Sequence, residues 1–150
     1  MRRAIELGVE NVHLGRGGPF GAVIVKDGEI VAEGYNLVTA ENDPTAHAEI
    51  TAIRRAAASM GRFHLSGCEI YTSCEPCPMC LGAIYWAHLD RIYFGCTHQD
   101  AAAAGFDDSL IYKEMRSPLE QRRIPTIPLD RELANRTFEV WAASVKRVDY

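Results

Sequence analysis

The chain has 150 residues, enough for one compact domain that buries most of its apolar surface and too few for two full-size domains. Hydrophobic residues make up 47% and charged residues 24% of the sequence, a balance that excludes intrinsic disorder, collagen and coiled coils. The formal net charge of −4 disfavours binding to the nucleic-acid backbone, and no apolar run reaches the ~20 residues of a membrane span.

The predicted elements of the first half are a helix, a hairpin and a second helix. An amphipathic helix is expected over residues 2–14, and the strands 21–25 and 29–33 flank Asp27-Gly28, a typical hairpin turn. A polar loop over residues 35–44 then leads into an alanine-rich helix that ends near Met60.

The second half alternates strands and helices. We expect a strand over 69–72, a helix over 78–88, a strand over 91–94, a short helix after Asp108, an extended stretch over 117–130 and a helix over about 131–145. A hairpin followed by alternating elements predicts an α/β layered sheet, antiparallel at one edge and parallel beyond.

The cysteines and the N-terminus indicate the compartment. The cysteine count of five is odd, and Cys74, Cys77 and Cys80 are spaced three apart, which favours a metal in a reducing compartment over a disulfide framework. Glu6 and Glu10 fall where a signal peptide would need its apolar segment. We therefore expect a cytoplasmic protein.

Cys77 and Cys80 have the spacing of metal ligands at the start of a helix. Pro78 disfavours helical geometry at Cys77 and suits the first helical position, so Cys77 becomes the N-cap and Cys80 lies one turn further on the same side. The unpaired N–H groups and the positive end of the helix dipole lower the pKa of both thiols, which favours the thiolates that bind zinc.

His47 adds a nitrogen ligand, with Glu49 two residues later. In the middle of a helix these side chains would diverge by about 200°, so both can serve one metal only if His47 begins its helix. We expect two helix N-termini to converge on one zinc bound by His47, Cys77 and Cys80, with water as the fourth ligand and Glu49 moving its proton.

A structural zinc site is the alternative, with Cys74 closing the tetrahedron. Pro76 forces Cys74 onto an extended lead-in that points away from the helix start, and a structural site has no use for a carboxylate beside its histidine. The open site is favoured, and Cys74, like Cys68 and Cys96, is interpreted as a small buried residue.

The motif His47-Ala-Glu49 with Pro76-Cys-Pro-Met-Cys80 resembles the signature of the zinc nucleoside and nucleobase deaminases, in which the glutamate shuttles protons and does not ligate zinc. Segments 17–25, 42–49 and 71–86 resemble the bacterial guanine deaminases, and segment 104–114 is the most discriminating match. This resemblance implies one three-layer α/β/α domain over residues 1–150, with a mixed five-stranded sheet flanked by helices. It also implies one Zn²⁺ per subunit and hydrolysis of guanine to xanthine and ammonia, with Glu49 as proton shuttle.

The resemblance also assigns further site residues. The resemblance implies that Asp108 is a second proton shuttle. Without it, Asp107, Asp108 and Ser109 would be interpreted as a helix-capping cluster. Asn36 would bind the purine edge, where the sequence alone allows a turn residue equally well. Phe20 would stack on the base and Trp86 would wall the pocket, with core packing as the alternative for both. Ala48 is assigned to substrate binding.

The resemblance implies that Tyr150, at the end of the sequence, reaches an active site of a homodimer. It would be carried there by a C-terminal segment, about 117–150, that is exchanged between the subunits. The remaining histidines have no partner that the sequence reveals and are expected at the surface; they are His13, His64, His88 and His98.

Three functions therefore compete. The first is deamination of a small purine base, guanine. The second is deamination of adenosine in tRNA, because the His47 and cysteine motifs occur in that family too, but the net charge and Phe20 argue against it. The third is a zinc-stabilised interaction domain without catalysis, which would need Cys74 as a ligand and would leave Glu49 without a task.

Overall fold

The computed structural model describes residues 1–149, so Tyr150 lies outside the described residues. The helices are α1 (Arg2–His13), α2 (Val38–Glu41), α3 (Ala48–Met60), α4 (Pro78–Trp86), α5 (His98–Ala103), α6 (Ser109–Arg116) and α7 (Arg131–Ala143). The strands are β1 (Gly21–Lys26), β2 (Glu29–Tyr35), β3 (Cys68–Cys74) and β4 (Arg91–Cys96). The chain divides into a core unit, Met1–Asp108, and a C-terminal unit that begins at Ser109.

The four strands form one mixed sheet in the order β2-β1-β3-β4. β1 pairs antiparallel with β2 and with β3, whereas β3 and β4 run parallel. Asp27 and Gly28 both have positive φ angles, 51° and 85°, as a tight hairpin turn between twisted strands requires. The predicted arrangement, antiparallel at one edge and parallel beyond, is confirmed.

Helices cover both faces of the sheet within the core unit. On one face, α3 and α4 pack through small and branched side chains against β1 and β3; the cluster includes Ala22, Ile24, Ala52, Ala56, Ile70 and Ile84. On the other face, Ala4 and Leu7 of α1 pack on Val23. The core unit is therefore a three-layer α/β/α structure, and the sheet positions the N-termini of α3 and α4 at one edge of the core.

The expectation of five strands is wrong for the described residues, which form four. The remaining extended stretch, 117–130, contains Pro118, Pro125 and Pro128. Proline has no N–H to donate to a strand ladder, so this stretch is irregular apart from the 3-10 turn Leu119–Gln121.

Two short helices are absent from the sequence-based expectation. α2 lies inside the predicted polar loop and ends at Asn42 in the left-handed conformation. α5 begins after Thr97, whose hydroxyl accepts the backbone N–H of Asp100 in a capping box. In the C-terminal unit, α6 and α7 confirm the predicted helices. Among the described residues, every helix is too short or too polar to cross a membrane.

Candidate active site

His47 and Cys77 occupy equivalent positions, each as the N-cap of a helix. Both have extended backbone angles, with ψ of 161° at His47 and 167° at Cys77, and α3 and α4 begin at the residues that follow. Pro78 takes the first helical position, and Cys80 lies in the first turn of α4. The predicted start of a helix at His47 is confirmed, and so is the predicted capping position of Cys77.

The three side chains converge with the spacing that zinc requires. The Sγ atoms of Cys77 and Cys80 each lie 3.5 Å from His47 Nδ1, and all three ligand atoms lie within 4.8 Å of one another. Tetrahedral zinc, with bonds of ~2.3 Å to sulfur and ~2.0 Å to nitrogen, separates these atoms by about 3.5 Å. One nitrogen and two sulfur ligands are also the donor set that zinc prefers, so these residues fit a zinc ion.

The protonation of the two thiols suits a cation between them. A hydrogen bond from Cys80 lowers the pKa of the Cys77 thiol to about 4, and His47 acts in the same direction. The expectation of a lowered pKa at both thiols is wrong for Cys80, whose pKa is raised because its proton is engaged by Cys77 and because the thiol is buried. Two adjacent thiolates repel each other, and a divalent cation would take the place of the proton they share.

Cys74 stands apart from this group in the described part of the chain. Its Sγ lies 3.5 Å from the carbonyl oxygen of Thr97 and donates to it, whereas the ligand group contains only His47, Cys77 and Cys80. Burial raises the pKa of the Cys74 thiol to about 11, which keeps the thiol protonated at neutral pH. The geometry therefore disfavours the closed four-ligand site.

Glu49 lies in the first turn of α3 and is 8% exposed. Burial is the main cause of a raised pKa for this carboxyl group. A carboxyl group with a raised pKa beside a metal site is placed to accept a proton and to return it.

A cavity of about 400 Å³ opens beside these groups, within the volume range of small-molecule sites. Every lining residue that the structure describes belongs to the core unit. The polar and ionisable residues of the described lining are Asn36, Thr39, His47, Glu49, Cys74, Glu75, Cys77, His98, Asp107 and Asp108. The cavity therefore joins the metal group to several groups that can bind or protonate a ligand.

Asn36 is 7% exposed and its amide oxygen is already occupied. Oδ1 accepts hydrogen bonds from the backbone N–H groups of Gly18 and Val38, at 3.2 Å and 3.3 Å. Asn11 supports the same loop by donating to the Asn36 carbonyl oxygen at 2.8 Å. Because Oδ1 is engaged, Asn36 offers a ligand the donors of its amide nitrogen.

The other residues assigned to substrate binding differ in their position relative to the cavity. Phe20 lines the cavity and contacts Phe106 edge-to-face, with ring centroids 4.9 Å apart. Ala48 is buried between His47 and Glu49. Trp86 ends α4 with 68% of its surface exposed and is not among the described lining residues. The assignments of Ala48 and Trp86 stay predictions, and the assignment of Tyr150 lies outside the described residues.

Sequence reasoning missed a pair of residues in the cavity wall. Glu75 Oε2 accepts a hydrogen bond from Nδ1 of His98 at 2.9 Å, which gives His98 the partner that the sequence did not reveal. His64 and His88 also have partners, because their rings contact each other at a tilt of 34°, with centroids 4.3 Å apart. Glu75 lies within the cysteine motif, and this position was the one sequence signal that could have pointed to the pair. Its partner His98 lies 23 residues further along the chain, so the pairing itself was not visible in the sequence.

Comparison with known proteins identifies the family. Residues 1–96 match the family model described as the cytidine and deoxycytidylate deaminase zinc-binding region. The chain belongs to the cytidine and deoxycytidylate deaminase family. Guanine deaminase of Bacillus subtilis (strain 168) is 54% identical over 100% of this chain and 96% of that protein. The X-ray structure of that deaminase has a TM-score of 0.97, covering 99% of this chain and 95% of the other.

Other members of the family are more distant. The tRNA-specific adenosine deaminase of Haemophilus influenzae is 41% identical, over 72% of this chain and 65% of that protein. The protein in a crystal structure with bound 2,6-diaminopurine is 35% identical in sequence to this chain. The two structures have a TM-score of 0.69, covering 71% of this chain and 60% of the other. The resemblance to guanine deaminases, inferred from sequence motifs, is confirmed by the full-length match.

Proposed function

We propose that this chain hydrolyses guanine to xanthine and ammonia. The observation that carries the proposal is the cavity, which brings a zinc-type ligand group, the buried carboxyl of Glu49 and the carboxyl of Asp108 around one small-molecule volume. The full-length similarity to a guanine deaminase supports guanine as the base.

His47, Cys77 and Cys80 would hold one zinc ion, which when bound supplies a Lewis acid that makes water nucleophilic at neutral pH. Glu49 takes a proton from the attacking water and delivers it to a ring nitrogen next to C2 of guanine. Asp108 moves the proton that lets the amino group leave as ammonia. The balance is one water consumed and one ammonia released for each guanine.

The environments of the two carboxyl groups fit these roles. Burial raises the pKa of both Glu49 and Asp108, and the negative charge at Cys77 raises the pKa of Asp108 further. A carboxyl group with a raised pKa holds a proton more readily than an ordinary one, which suits a group that must act as an acid as well as a base.

The cavity also fits a flat, polar base. The amide nitrogen of Asn36 can donate to a carbonyl oxygen or ring nitrogen of the purine, because its Oδ1 is held by the backbone. The Phe20–Phe106 pair offers an aromatic surface against which the ring can pack. Ala48, Trp86 and Tyr150 complete the proposed set of substrate contacts.

A substrate panel tests the proposal. The zinc-loaded protein is incubated with guanine, adenine, cytosine, guanosine, cytidine and an RNA hairpin, and ammonia release is measured. Guanine should be the preferred substrate by a wide margin. Activity confined to the RNA hairpin would replace the proposal with deamination of adenosine in tRNA, which the similarity to the Haemophilus influenzae enzyme supports.

A homodimer with exchanged C-terminal segments forms part of the proposal. α7 carries large apolar side chains that are exposed in the described chain, including Leu133, Phe138 and Val140, and α1 of the core unit exposes Ile5, Val9 and Val12. Apolar surfaces of this kind are usually covered by a partner, and a second copy of the chain is the occupant we infer. The five free cysteines and the thiolate ligands support a cytoplasmic location.

A further inference from the structure

Asn11 is a polar residue of α1 that is 1% exposed and is not among the described residues of the cavity lining. Its amide nitrogen donates twice, to the carbonyl oxygen of Gly18 at 2.9 Å and to that of Asn36 at 2.8 Å. Because both partners are acceptors, the amide nitrogen of Asn11 and not its oxygen must face them. Gly18 and Asn36 both line the cavity, so Asn11 ties two parts of the cavity wall to one helix.

The two parts of the wall are also bonded to each other. The backbone N–H of Gly18 donates to Asn36 Oδ1 at 3.2 Å. The backbone N–H of Asn36 donates to the carbonyl oxygen of Phe20 at 3.1 Å, and that of Phe20 donates to the carbonyl oxygen of Gly18 at 2.9 Å. A Cβ atom on Gly17 would lie 2.5 Å from the Asn36 carbonyl oxygen, so the two segments touch with no side chain between them. The Asn36 amide and the backbone of Phe20 are therefore held in one unit.

We propose that Asn11 is a positioning residue that fixes which end of the Asn36 amide faces the base. The two hydrogen bonds that orient this amide, from Gly18 and Val38 to Oδ1, are long at 3.2 Å and 3.3 Å, so they depend on the backbone staying in place. Asn11 restrains that backbone through its shorter bonds to the two carbonyl groups. The amide nitrogen of Asn36 is then left to donate to an acceptor on the base. This assignment deepens the proposed guanine deaminase function and rests on it.

Stability alone does not explain an asparagine at this position. Asn11 Oδ1 is buried and accepts no hydrogen bond from the described residues. A buried acceptor without a donor disfavours folding. A leucine of similar size would remove that acceptor and add apolar contacts, although the two carbonyl groups would lose their donor. Because these effects oppose each other, we expect the Asn11 amide to matter more for the geometry of the cavity wall than for the stability of the fold.

A purely structural role is the simpler explanation, in which Asn11 only secures α1 to the core. α1 has apolar anchors for that purpose, because Ala4 and Leu7 pack on Val23. Leu7 is 3% exposed and, like Asn11, is not among the described residues of the cavity lining. Leu7→Ala is therefore a matched control, which loosens the same helix and leaves the hydrogen bonds of Asn11 in place.

Competition between bases on the zinc-loaded enzyme tests the assignment. Guanine is the substrate, and the competitors are 2-aminopurine, which lacks its carbonyl oxygen, and 7-deazaguanine, which lacks its N7. Asn36→Ala should raise KM for guanine by about 10- to 100-fold and should weaken least the analogue that lacks the acceptor Asn36 pairs with. Asn11→Leu should raise KM for guanine by about 5- to 30-fold and spare the same analogue. Its kcat should stay within about threefold of wild type with full zinc content, because binding is lost and not proton transfer.

A double-mutant cycle separates positioning from folding. In an Asn36→Ala background, Asn11→Leu should raise KM by less than about twofold, since residues that act through one another are not additive. Asn11→Ala removes the same two donors without adding atoms and should repeat the result, which covers the case in which leucine does not fit. Leu7→Ala should lower the thermal midpoint and keep the wild-type KM and inhibition constants.

Several results would overturn the assignment. These are a wild-type KM for guanine in Asn11→Leu, Asn11→Ala or Asn36→Ala, an equal rise in KM in both backgrounds, a pattern of losses across the three bases unlike that of Asn36→Ala, or the same pattern from Leu7→Ala. A wild-type enzyme that releases no ammonia from guanine would instead reject the proposed function, and the assignment with it.

Discussion

Glu49 is a buried carboxyl group beside the ligand group, but it is not one of the three ligands that converge. Glu49→Gln keeps the size of the side chain and removes its capacity to carry a proton. We expect kcat for guanine to fall by at least about 100-fold while the protein retains its zinc. Metal analysis alongside the rate assay checks both parts, and loss of zinc from this variant would show that Glu49 ligates the metal.

Cys74 tests whether the metal site is open or closed. Its thiol donates to Thr97 and lies outside the ligand group, so Cys74→Ser should retain zinc and most of the activity. Cys77→Ser and Cys80→Ser should lose both, because each removes one of the three ligands. Zinc content measured on all three variants distinguishes an open three-ligand site from a closed four-ligand site. A Cys74→Ser protein without zinc would support the closed structural site.

At the scale of elements, the close packing of β2 against α3 positions the start of α3, which carries His47 and Glu49. A Cβ atom on Gly34 would meet the backbone nitrogen of Ala52 at 2.5 Å and would also clash with the carbonyl oxygen of Ala48. Gly34→Ala should therefore lower the free energy of unfolding by about 1–3 kcal/mol and weaken zinc binding, because it pushes away the turn that carries His47 and Glu49.

Gly82 in α4 provides the matched control. A Cβ atom there would meet no described atom within 4 Å beyond the adjoining residues and backbone of its own helix, and alanine is the better helix former. Gly82→Ala should therefore raise the free energy of unfolding by up to about 1 kcal/mol. Urea unfolding of the two variants measures both effects. Equal stability of Gly34→Ala and the wild type would mean that β2 and α3 are not packed as closely as described.

Local sequence signals made much of the site predictable. Pro78 fixes the start of α4 at Cys77, and the two-residue spacing of His47 and Glu49 is compatible with one metal only at a helix start. Both rules depend on neighbouring residues alone. The alternation of apolar strands and helices likewise predicted the order of the main elements.

The parts that sequence could not provide depend on contacts between distant residues. The Glu75–His98 pair forms because parallel pairing places Cys74 opposite Cys96, and a sequence does not reveal the register of parallel strands. Phe106 contacts Phe20, which lies 86 residues earlier in the sequence, and this contact likewise depends on the tertiary fold. The expected fifth strand came from family resemblance, and the prolines of 117–130 keep that stretch out of the described sheet.

At the scale of the whole molecule, the proposed exchange of C-terminal segments makes a prediction about mixed dimers. A Glu49→Gln subunit is co-expressed with a subunit that lacks Tyr150, each inactive alone. If segments are exchanged, one site of each mixed dimer receives both lesions and the other receives none. Random pairing makes about half of the dimers mixed, so about a quarter of wild-type activity should return.

Mass spectrometry of the intact dimers provides the control, because it shows whether mixed dimers form. An inactive mixture with confirmed mixed dimers would reject the exchange, since every site would then carry one lesion. The zinc group and Glu49 lie in the core unit, so that result would leave the proposed chemistry unchanged.

In the proposed reaction, water hydrolyses guanine in the cavity formed by the zinc ligand group, Glu49 and Asp108. The most direct measurement is turnover of guanine in ¹⁸O-labelled water, with xanthine analysed by mass spectrometry and ammonia counted alongside. We expect one ammonia and one labelled oxygen for each xanthine formed by the zinc-loaded wild type, and no labelled xanthine from Glu49→Gln with its zinc retained. Unchanged guanine with the wild-type enzyme, or equal turnover by Glu49→Gln, would contradict it.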